Sequence, residues 1–163
     1  MKEVEGVKKH KQILGFVQRI LVTCVALVLL NKFVVTATIY YDNNMFPSMK
    51  DGDLVVIEKF DKEVQLSDVV IYNGRLYRVI AKAGQEVDIS KEGILTVNGM
   101  QPSESTNSLT SKGEKEYPIK VPEGEIFVLN DYREDESDSR EFGTIKESDI
   151  EGKVFFITRR RGF

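Results

Sequence analysis

The sequence predicts a mainly β domain that follows an N-terminal transmembrane helix. Two features support this fold class. The chain of 163 residues has one long apolar segment at residues 20–40, and after it the apolar residues occur in short groups separated by Gly and Asn. A long apolar run is typical of a membrane helix, whereas short runs that end in turn residues are typical of antiparallel strands.

The apolar segment also predicts the topology of the chain. Its length matches the roughly 20 residues that cross a bilayer as a helix, and Lys32 near one end can extend its ammonium group to the headgroups. Basic residues favour the cytoplasmic side. We therefore expect a basic cytoplasmic leader (1–19), a single-pass anchor in the cell membrane (20–40) and an extracellular β domain (41–163). The basic residues of the leader are Lys2, Lys8, Lys9, Lys11 and Arg19.

Three alternatives to an uncleaved anchor remain open. A cleaved signal peptide needs small residues at its cleavage site, which Val35-Thr36-Ala37 supplies poorly. A lipid-modified Cys24 would require the apolar run to end there, yet the run continues. The third alternative is a buried helix of a soluble protein. The basic flank favours the anchor.

The body of the chain contains six apolar segments that predict strands. They span residues 54–60, 69–72, 76–81, 94–97, 126–129 and 154–157. The dipeptides Asn73-Gly74 and Asn98-Gly99 are typical of tight hairpin turns. Residues 101–116, rich in Ser, Thr, Glu and Lys, predict a mobile surface loop.

The composition excludes several classes of function. Aromatic residues are not interleaved with a basic stripe, so we expect no nucleic acid partner. The single histidine, His10, has no second ligand at metal-site spacing, so we expect neither a metal nor a histidine-based triad, and no cofactor. With Cys24 as its one cysteine, the chain forms no internal disulfide.

The segment from Asp42 to Asp53 carries the most specific motif. It places Met45 and Pro47, and then Gly52 before Asp53, between the apolar segment and the first predicted strand. This order resembles the nucleophile region of type I signal peptidases, in which Ser-Met-x-Pro-Thr is followed by Gly-Asp.

Four further segments resemble the same family in the same order along the chain. They are Ser67–Val70 (Gly-Asp-Val-Val), Tyr77–Gln85 (Lys-Arg-Val-Ile-Gly-Leu-Pro-Gly-Asp), Lys120–Arg133 (ending in Gly-Asp-Asn-Arg) and Ser137–Gly143 (Ser-Asp-Ser-Arg-x-Phe-Gly). The ordered set covers nearly the whole chain. It implies the signal peptidase-type β-fold, with antiparallel sheets coiled into a barrel-like body.

The resemblance also identifies two positions where the catalytic residues of the family are replaced. In that family a lysine base activates a serine nucleophile, which requires a lysine of lowered pKa within hydrogen-bond reach. The nucleophile position falls on Asn44 and the base position on Tyr77. A carboxamide has no proton to lose, and a phenol with an ordinary pKa of about 10 is already protonated at neutral pH. The resemblance therefore predicts the fold without a working Ser-Lys dyad.

The remaining site residues are expected to shape a groove. The resemblance implies a substrate groove formed by Asp42, Asn44, Met45, Phe46, Pro47, Tyr77 and Arg78. It implies structural bracing by Asp131, Arg133, Asp138, Ser139 and Arg140. Asp42 stands where some relatives carry a hydroxyl that stabilises the oxyanion, and its carboxylate would repel such a charge. Asn130 and Tyr132 replace the Gly and Asn of the last motif.

The sequence leaves three functional hypotheses. The first is a pseudoenzyme similar to the catalytically degenerate signal-peptidase-like proteins of Gram-positive pilus loci. It would be an accessory protein that holds exported proteins or pilin subunits at the membrane for a sortase. The second is an active signal peptidase, a serine endopeptidase whose nucleophile has moved to Ser48 beside Lys50 or Lys59. The third is a membrane-anchored structural protein whose groove is filled by its own side chains. The double replacement favours the first hypothesis.

Overall fold

The computed structural model describes residues 2–60, 63–102 and 109–159, apart from the side chains of residues 2–12 and 30–33. The basic side chains of the leader before Arg19, His10 and Lys32 therefore lie outside the described residues. So do the centre of the predicted 101–116 loop and the final basic tail after Arg159.

A long helix opens the chain and ends before the predicted boundary. Helix α1 spans Lys2–Phe33, and the next residues form strand β1, Val35–Ile39, instead of continuing the helix to Tyr40. The β-branched residues of this segment favour extended backbone and pair with the following strand. Within the described part of the chain, no helix meets the length and apolarity required of a membrane span.

After α1, the described residues form ten strands in two antiparallel sheets, with two short helical segments. The strands after β1 are β2 Leu54–Glu58, β3 Val69–Tyr72, β4 Arg75–Lys82, β5 Glu86–Ile89, β6 Leu95–Val97, β7 Ile119–Lys120, β8 Glu125–Leu129, β9 Ile145–Lys146 and β10 Gly152–Thr158. The helical segments are α2, Ser139–Phe142, and a 3₁₀ turn, Glu147–Asp149. The larger sheet has the strand order β1-β2-β10-β3-β4-β8-β9, and the smaller sheet has the order β6-β5-β7. The mainly β fold class with a curled antiparallel sheet is confirmed.

The two Asn-Gly dipeptides form turns as predicted, with different outcomes. Asn73 and Gly74 have φ values of 49° and 73° and join β3 to β4 as a hairpin. Positive φ at both positions is the requirement of a type I′ turn. Asn98 and Gly99 adopt similar values of 51° and 76°, and an isolated antiparallel bridge closes this turn, in which the amides of Val97 and Met100 each donate to the other's carbonyl.

Three clusters of buried apolar side chains form the core of the β domain, and one of them supports the loop that carries the motif. One cluster lies between the two sheets, one lies along β3, β4 and β8, and one lies under the loop between β1 and β2. The third cluster includes Tyr40, Met45 and Met49, so the loop that carries the motif is itself part of the core. In the predicted 101–116 loop, Thr110 is buried and its amide donates to the carbonyl of Gly93.

Candidate functional site

The loop between β1 and β2, residues 40–53, is closed by backbone hydrogen bonds between its ends and carries the buried Asn44. The amide of Tyr40 donates to the carbonyl of Asp53, and the amide of Gly52 donates back to the carbonyl of Tyr40, both at 2.8 Å. Met45 and Met49 are completely buried beneath the loop. These anchors fix the position of the intervening residues.

Asn44 is buried, and its side chain is fully engaged in hydrogen bonds. Its Nδ2 donates to the carbonyl of Leu76 at 2.6 Å and to Oδ1 of Asn130 at 2.7 Å. Its Oδ1 accepts from the hydroxyl of Tyr40 at 2.5 Å, and burial raises the pKa of that hydroxyl to about 12. The backbone carbonyl of Asn44 accepts from the amide of Tyr132 at 2.9 Å. The side chain therefore holds three chain segments together and presents no free polar group.

Tyr77 lies in an aromatic and aliphatic environment. Its side chain is 4% exposed, and its ring lies 5.8 Å from that of Phe142 in an edge-on arrangement and 6.5 Å from that of Tyr72. Burial raises the pKa of the Tyr77 hydroxyl above its ordinary value, because the phenolate would be poorly solvated. Tyr77 therefore stays protonated at neutral pH and cannot accept a proton there.

Arg75 connects the loop around Asn44 to the last motif, and the sequence analysis missed it. Its Nε donates to Asp42 at 3.1 Å, its Nη2 to Asp135 at 2.9 Å, and its Nη1 to the hydroxyl of Ser137 at 3.1 Å. Its guanidinium carbon lies 6.0 Å from the centre of the Tyr77 ring. Burial opposes the charge, but the hydrogen bonds to Asp135 and Asp42 outweigh it and raise the pKa of Arg75. No motif marks this residue; its only signal is its position after the Asn73-Gly74 turn.

Within the described residues, the side chain that contacts the hydroxyl of Ser48 is an arginine and not a lysine. The side-chain hydrogen bond to its hydroxyl comes from Nη2 of Arg78 at 3.3 Å, and arginine is permanently protonated in proteins. Lys50 places its ammonium 5.6 Å from the centre of the Phe46 ring instead. Among the described residues, no lysine is hydrogen bonded to Ser48.

Three of the residues predicted to brace the site take part in two tight ion pairs, and Arg78, a predicted groove residue, supplies the fourth side chain. Arg78 donates through Nε and Nη2 to the two carboxylate oxygens of Asp131, both at 2.6 Å. Arg140 donates to both carboxylate oxygens of Asp138, and both side chains are fully buried. Asp138 also accepts from the amide of Asn130. These pairs fix the segment that presents Asn130 to Asn44.

The other two bracing residues lie in different surroundings. The hydroxyl of Ser139 accepts from the amide of Val128 at 2.9 Å and so ties α2 to β8. Arg133 has none of the ion pairs that brace the site; its Nη1 donates to the hydroxyl of Thr110 at 3.3 Å.

A groove of about 320 Å³ lies beside the Arg75–Asp42 pair. Apolar side chains from the first four strands form most of its wall, and Asp42 and Arg75 supply the charged part. The lining residues are Thr38, Ile39, Tyr40, Tyr41, Asp42, Val55, Ile57, Ile71, Gly74, Arg75 and Leu76.

The groove differs from the predicted set of residues. Asp42 lines it, whereas Asn44, Met45 and Tyr77 are buried in the core and are not exposed to a ligand. Met45 was predicted to line the groove, but its apolar side chain is completely buried instead. The side chains that do line the groove come mostly from β1 to β4, which the motif does not include.

Two further predicted groove residues lie elsewhere on the surface, and Arg78 lines another cavity. Phe46 and Pro47 are exposed on the loop and are not part of the groove wall. Arg78 lies on a second, smaller cavity. Within the described part of the chain, no cluster of His, Cys, Asp and Glu is arranged to hold a metal ion.

The centre of the site holds a carboxamide and a phenol, with a groove nearby. Its central side chain is a carboxamide with all its polar atoms engaged, and the neighbouring phenol is held protonated. Nucleophilic catalysis needs a hydroxyl or thiol within reach of a base. The groove beside it offers apolar walls and a paired charge, which suit an extended peptide.

Comparison with known proteins finds one family. Residues 13–159 of the chain match the family described as "Signal peptidase, peptidase S26". Signal peptidase I T of Bacillus subtilis (strain 168) is 28% identical over 169 residues, which cover 92% of this chain and 87% of the relative. Signal peptidase IB of Staphylococcus aureus (strain COL) is 31% identical over 171 residues, which cover 90% and 89%.

A solved structure is also similar. The crystal structure of a signal peptidase I from Enterococcus faecalis V583 aligns with a TM-score of 0.47 at 28% sequence identity. The alignment covers 56% of this chain and 96% of that one.

Proposed function

Because the chain belongs to the signal peptidase family, peptidase S26, we propose that it is a non-catalytic member of that family. It binds an extended segment of an exported protein in the groove beside Arg75 and does not cleave it. The two relatives named above are called signal peptidases. In our proposal this chain differs from them in the residues of its site.

The observation that carries the proposal is the engagement of Asn44. The family resemblance gives this position to the nucleophile, and here the side chain is buried with hydrogen bonds to Tyr40, Leu76 and Asn130. The position of the base is occupied by Tyr77, whose pKa is raised by burial. Because each buried polar group left unsatisfied costs about 1–3 kcal/mol, these hydrogen bonds hold the Asn44 amide in place as a structural group.

The groove supports binding as the retained activity. Its volume of about 320 Å³ lies in the range of sites that hold small ligands and side chains. Strand β1 borders the groove and, among the described strands, is the edge strand of the larger sheet, paired with β2. Pairing of a peptide with a free strand edge is a common mode of recognition.

Helix α1 is proposed to anchor the protein in the cell membrane, with its N-terminus in the cytoplasm and the β domain outside. The large apolar side chains between Ile13 and Leu29 are 48–69% exposed and cover most of the helix circumference, apart from one side that carries Arg19 and Thr23. Apolar side chains exposed around most of a helix favour an apolar environment. The exposed fraction of these side chains supports a location in lipid.

The partner is proposed to be a pilin subunit or another exported chain, which the protein would hold for a sortase. This part rests on the resemblance to the degenerate signal-peptidase-like proteins of Gram-positive pilus loci, which also lack both catalytic residues. A groove near the membrane and an inert site are consistent with transient retention of a secreted chain.

Site-specific photocrosslinking tests the binding site. A photoreactive residue at Thr38, which lines the groove, should crosslink to a co-expressed exported pilin precursor, whereas the same residue at exposed Ser148 should not. The substitution Ile39→Glu, which adds a charge to the groove wall, should reduce the crosslink at least tenfold.

The matched control is Ile94→Glu. Ile94 is 42% exposed and Ile39 is 46% exposed, but only Ile39 lines the groove. Equal crosslinking from Thr38 and Ser148, or equal loss in both glutamate variants, would contradict binding at this groove.

A further inference from the structure

A second cavity of about 220 Å³ lies apart from the groove, between β4, the Asn98-Gly99 turn and Arg133. Apolar side chains, among them Leu66, Val79 and Met100, form most of its wall. Two guanidinium groups, those of Arg78 and Arg133, also line it. A mostly apolar cavity with convergent charged groups has the general composition of a ligand site.

The two arginines differ in how well their charges are compensated. Nε and Nη2 of Arg78 both donate to the carboxylate of Asp131, so the charge of Arg78 has a direct counter-charge. Arg133 is only 5% exposed and donates through Nη1 to the hydroxyl of Thr110, but its Nε has no acceptor. Among the residues described by the structure, no carboxylate lies within ion-pair distance of Arg133.

The carboxylates of the last motif are already engaged with other groups. Asp131 pairs with Arg78, and Asp138 pairs with Arg140. Burial lowers the pKa of Arg133, because the charged guanidinium is poorly solvated. A buried charge without a partner is unfavourable by several kcal/mol unless an anion compensates it. Asp131 and Asp138 favour the charge of Arg133 without pairing with it directly, so among the described residues the cavity contains a buried cation that lacks an ion pair of its own.

We infer that this cavity binds the C-terminal residue of a peptide, with the terminal carboxylate on Arg133 and the apolar side chain against Leu66 and Met100. A carboxylate matches the guanidinium in charge and in planar geometry. The site is separate from the groove, so the inference does not depend on the groove binding a peptide.

The size of the cavity favours a chain end over an internal residue. Its volume lies below the 300–1,000 Å³ that is typical of pockets for larger ligands, so it accommodates about one residue. A C-terminal residue brings its carboxylate and its side chain into the same small space. An internal acidic residue would also have to bring two neighbouring backbone segments.

Fluorescence anisotropy with a dye-labelled pentapeptide, Gly-Gly-Ser-Gly-Leu, tests the inference on the full chain in detergent. The peptide with a free carboxylate should bind at least tenfold more tightly than the same peptide with a C-terminal amide, since only the former can pair with a guanidinium. The preference should disappear in Arg133→Gln.

A second variant does not depend on the folding of the Arg133 variant. Leu66 is 48% exposed and lines the cavity, so Leu66→Trp should fold and should block binding of the free-acid peptide. The matched control is Ile94→Trp, at a similarly exposed apolar residue outside the cavity, which should bind as the native chain does.

Each other outcome would overturn the inference. Equal affinity for the free-acid and the amidated peptide would show that Arg133 does not select a carboxylate. If neither peptide binds, the cavity is not a peptide site, and a buried water would be the partner of Nε of Arg133. Equal binding by an amidated peptide that ends in Glu would identify an acidic side chain as the ligand.

Discussion

The side-chain amide of Asn44 donates a hydrogen bond of 2.7 Å to Oδ1 of Asn130, which is 86 residues away in the chain. This bond joins the loop before β2 to the segment after β8. In type I signal peptidases, which the motifs of this chain resemble, these two positions hold a serine and a glycine. In this chain the two asparagines depend on each other, because a glycine at position 130 would remove the acceptor for Nδ2 of Asn44.

Replacement of Asn44 should destabilise the fold. Asn44→Ala removes the partners of Tyr40, the Leu76 carbonyl and Asn130, and each buried group left unsatisfied costs about 1–3 kcal/mol. We expect the free energy of unfolding in urea to fall by at least about 2 kcal/mol. The control Asn43→Ala, at an exposed neighbour, should change it by less than about 0.5 kcal/mol. Equal effects of the two substitutions would contradict a structural role for the Asn44 amide.

The hydrogen bond from Tyr40 to Asn44 should make stability depend on alkaline pH. The pKa of Tyr40 is raised by burial to about 12, above the ordinary value of about 10. A raised pKa means that its contribution is complete below pH 10 and is lost as pH rises towards 12. The difference in unfolding free energy between the native chain and Tyr40→Phe should therefore shrink between pH 9 and pH 11.5. Tyr41→Phe, at a residue that is 75% exposed, serves as the control. A constant difference would argue against this coupling.

Asp135 should contribute a pH dependence of the opposite sign. Burial opposes its charge, but hydrogen bonds from Ser137 and Arg75 outweigh it and lower the pKa of Asp135. A lowered pKa means that the contribution is present above the ordinary value of about 3.9 and is lost at lower pH. The native chain should therefore exceed Asp135→Asn in stability at pH 7 but not at pH 2.5, as measured by thermal unfolding. A difference that persists at pH 2.5 would show that the carboxylate is not the cause.

The buried pair of Asp138 and Arg140 should be essential to the fold. Asp138→Asn leaves the guanidinium of Arg140, which is fully buried, without its counter-charge. Breaking a buried ion pair on one side typically costs 3–5 kcal/mol. We expect a loss of about this size, and less than about 0.5 kcal/mol for the exposed Glu141→Gln. The measurement is urea unfolding followed by circular dichroism. An effect of Asp138→Asn as small as that of the control would refute the role of the pair.

The fold was largely predictable from local sequence signals, and its exceptions have a physical cause. Asn73-Gly74 and the apolar run at Val69–Tyr72 predicted the β3–β4 hairpin, because positive φ and alternation are encoded locally. Strand β1 was included in the anchor instead. Its apolar, β-branched residues are compatible with a membrane helix and with a strand, and only pairing with β2 decides between the two.

For the candidate site, the resemblance pointed to the two dyad positions, but the sequence did not predict the contacts that surround them. The motif resemblance identified Asn44 and Tyr77 from their positions alone. The bridge from Arg75 to Asp42 and Asp135 joins residues far apart in the chain, and no local pattern marks such a contact. Met45 was expected in the groove, but a motif gives the order of residues and not the direction of a buried side chain.

Cleavage of a secreted precursor by the detergent-solubilised full chain tests the central claim most directly. Three proteins should be compared: the native chain, Ser48→Ala, and Asn44→Ser/Tyr77→Lys/Asn130→Gly. The last restores both members of the dyad and the glycine beside them, and burial at position 77 would lower the pKa of the new lysine. The account predicts no cleavage by the native chain or by Ser48→Ala, and measurable cleavage by the restored variant. Cleavage by the native chain that disappears in Ser48→Ala would contradict the account and would establish Ser48 as the nucleophile.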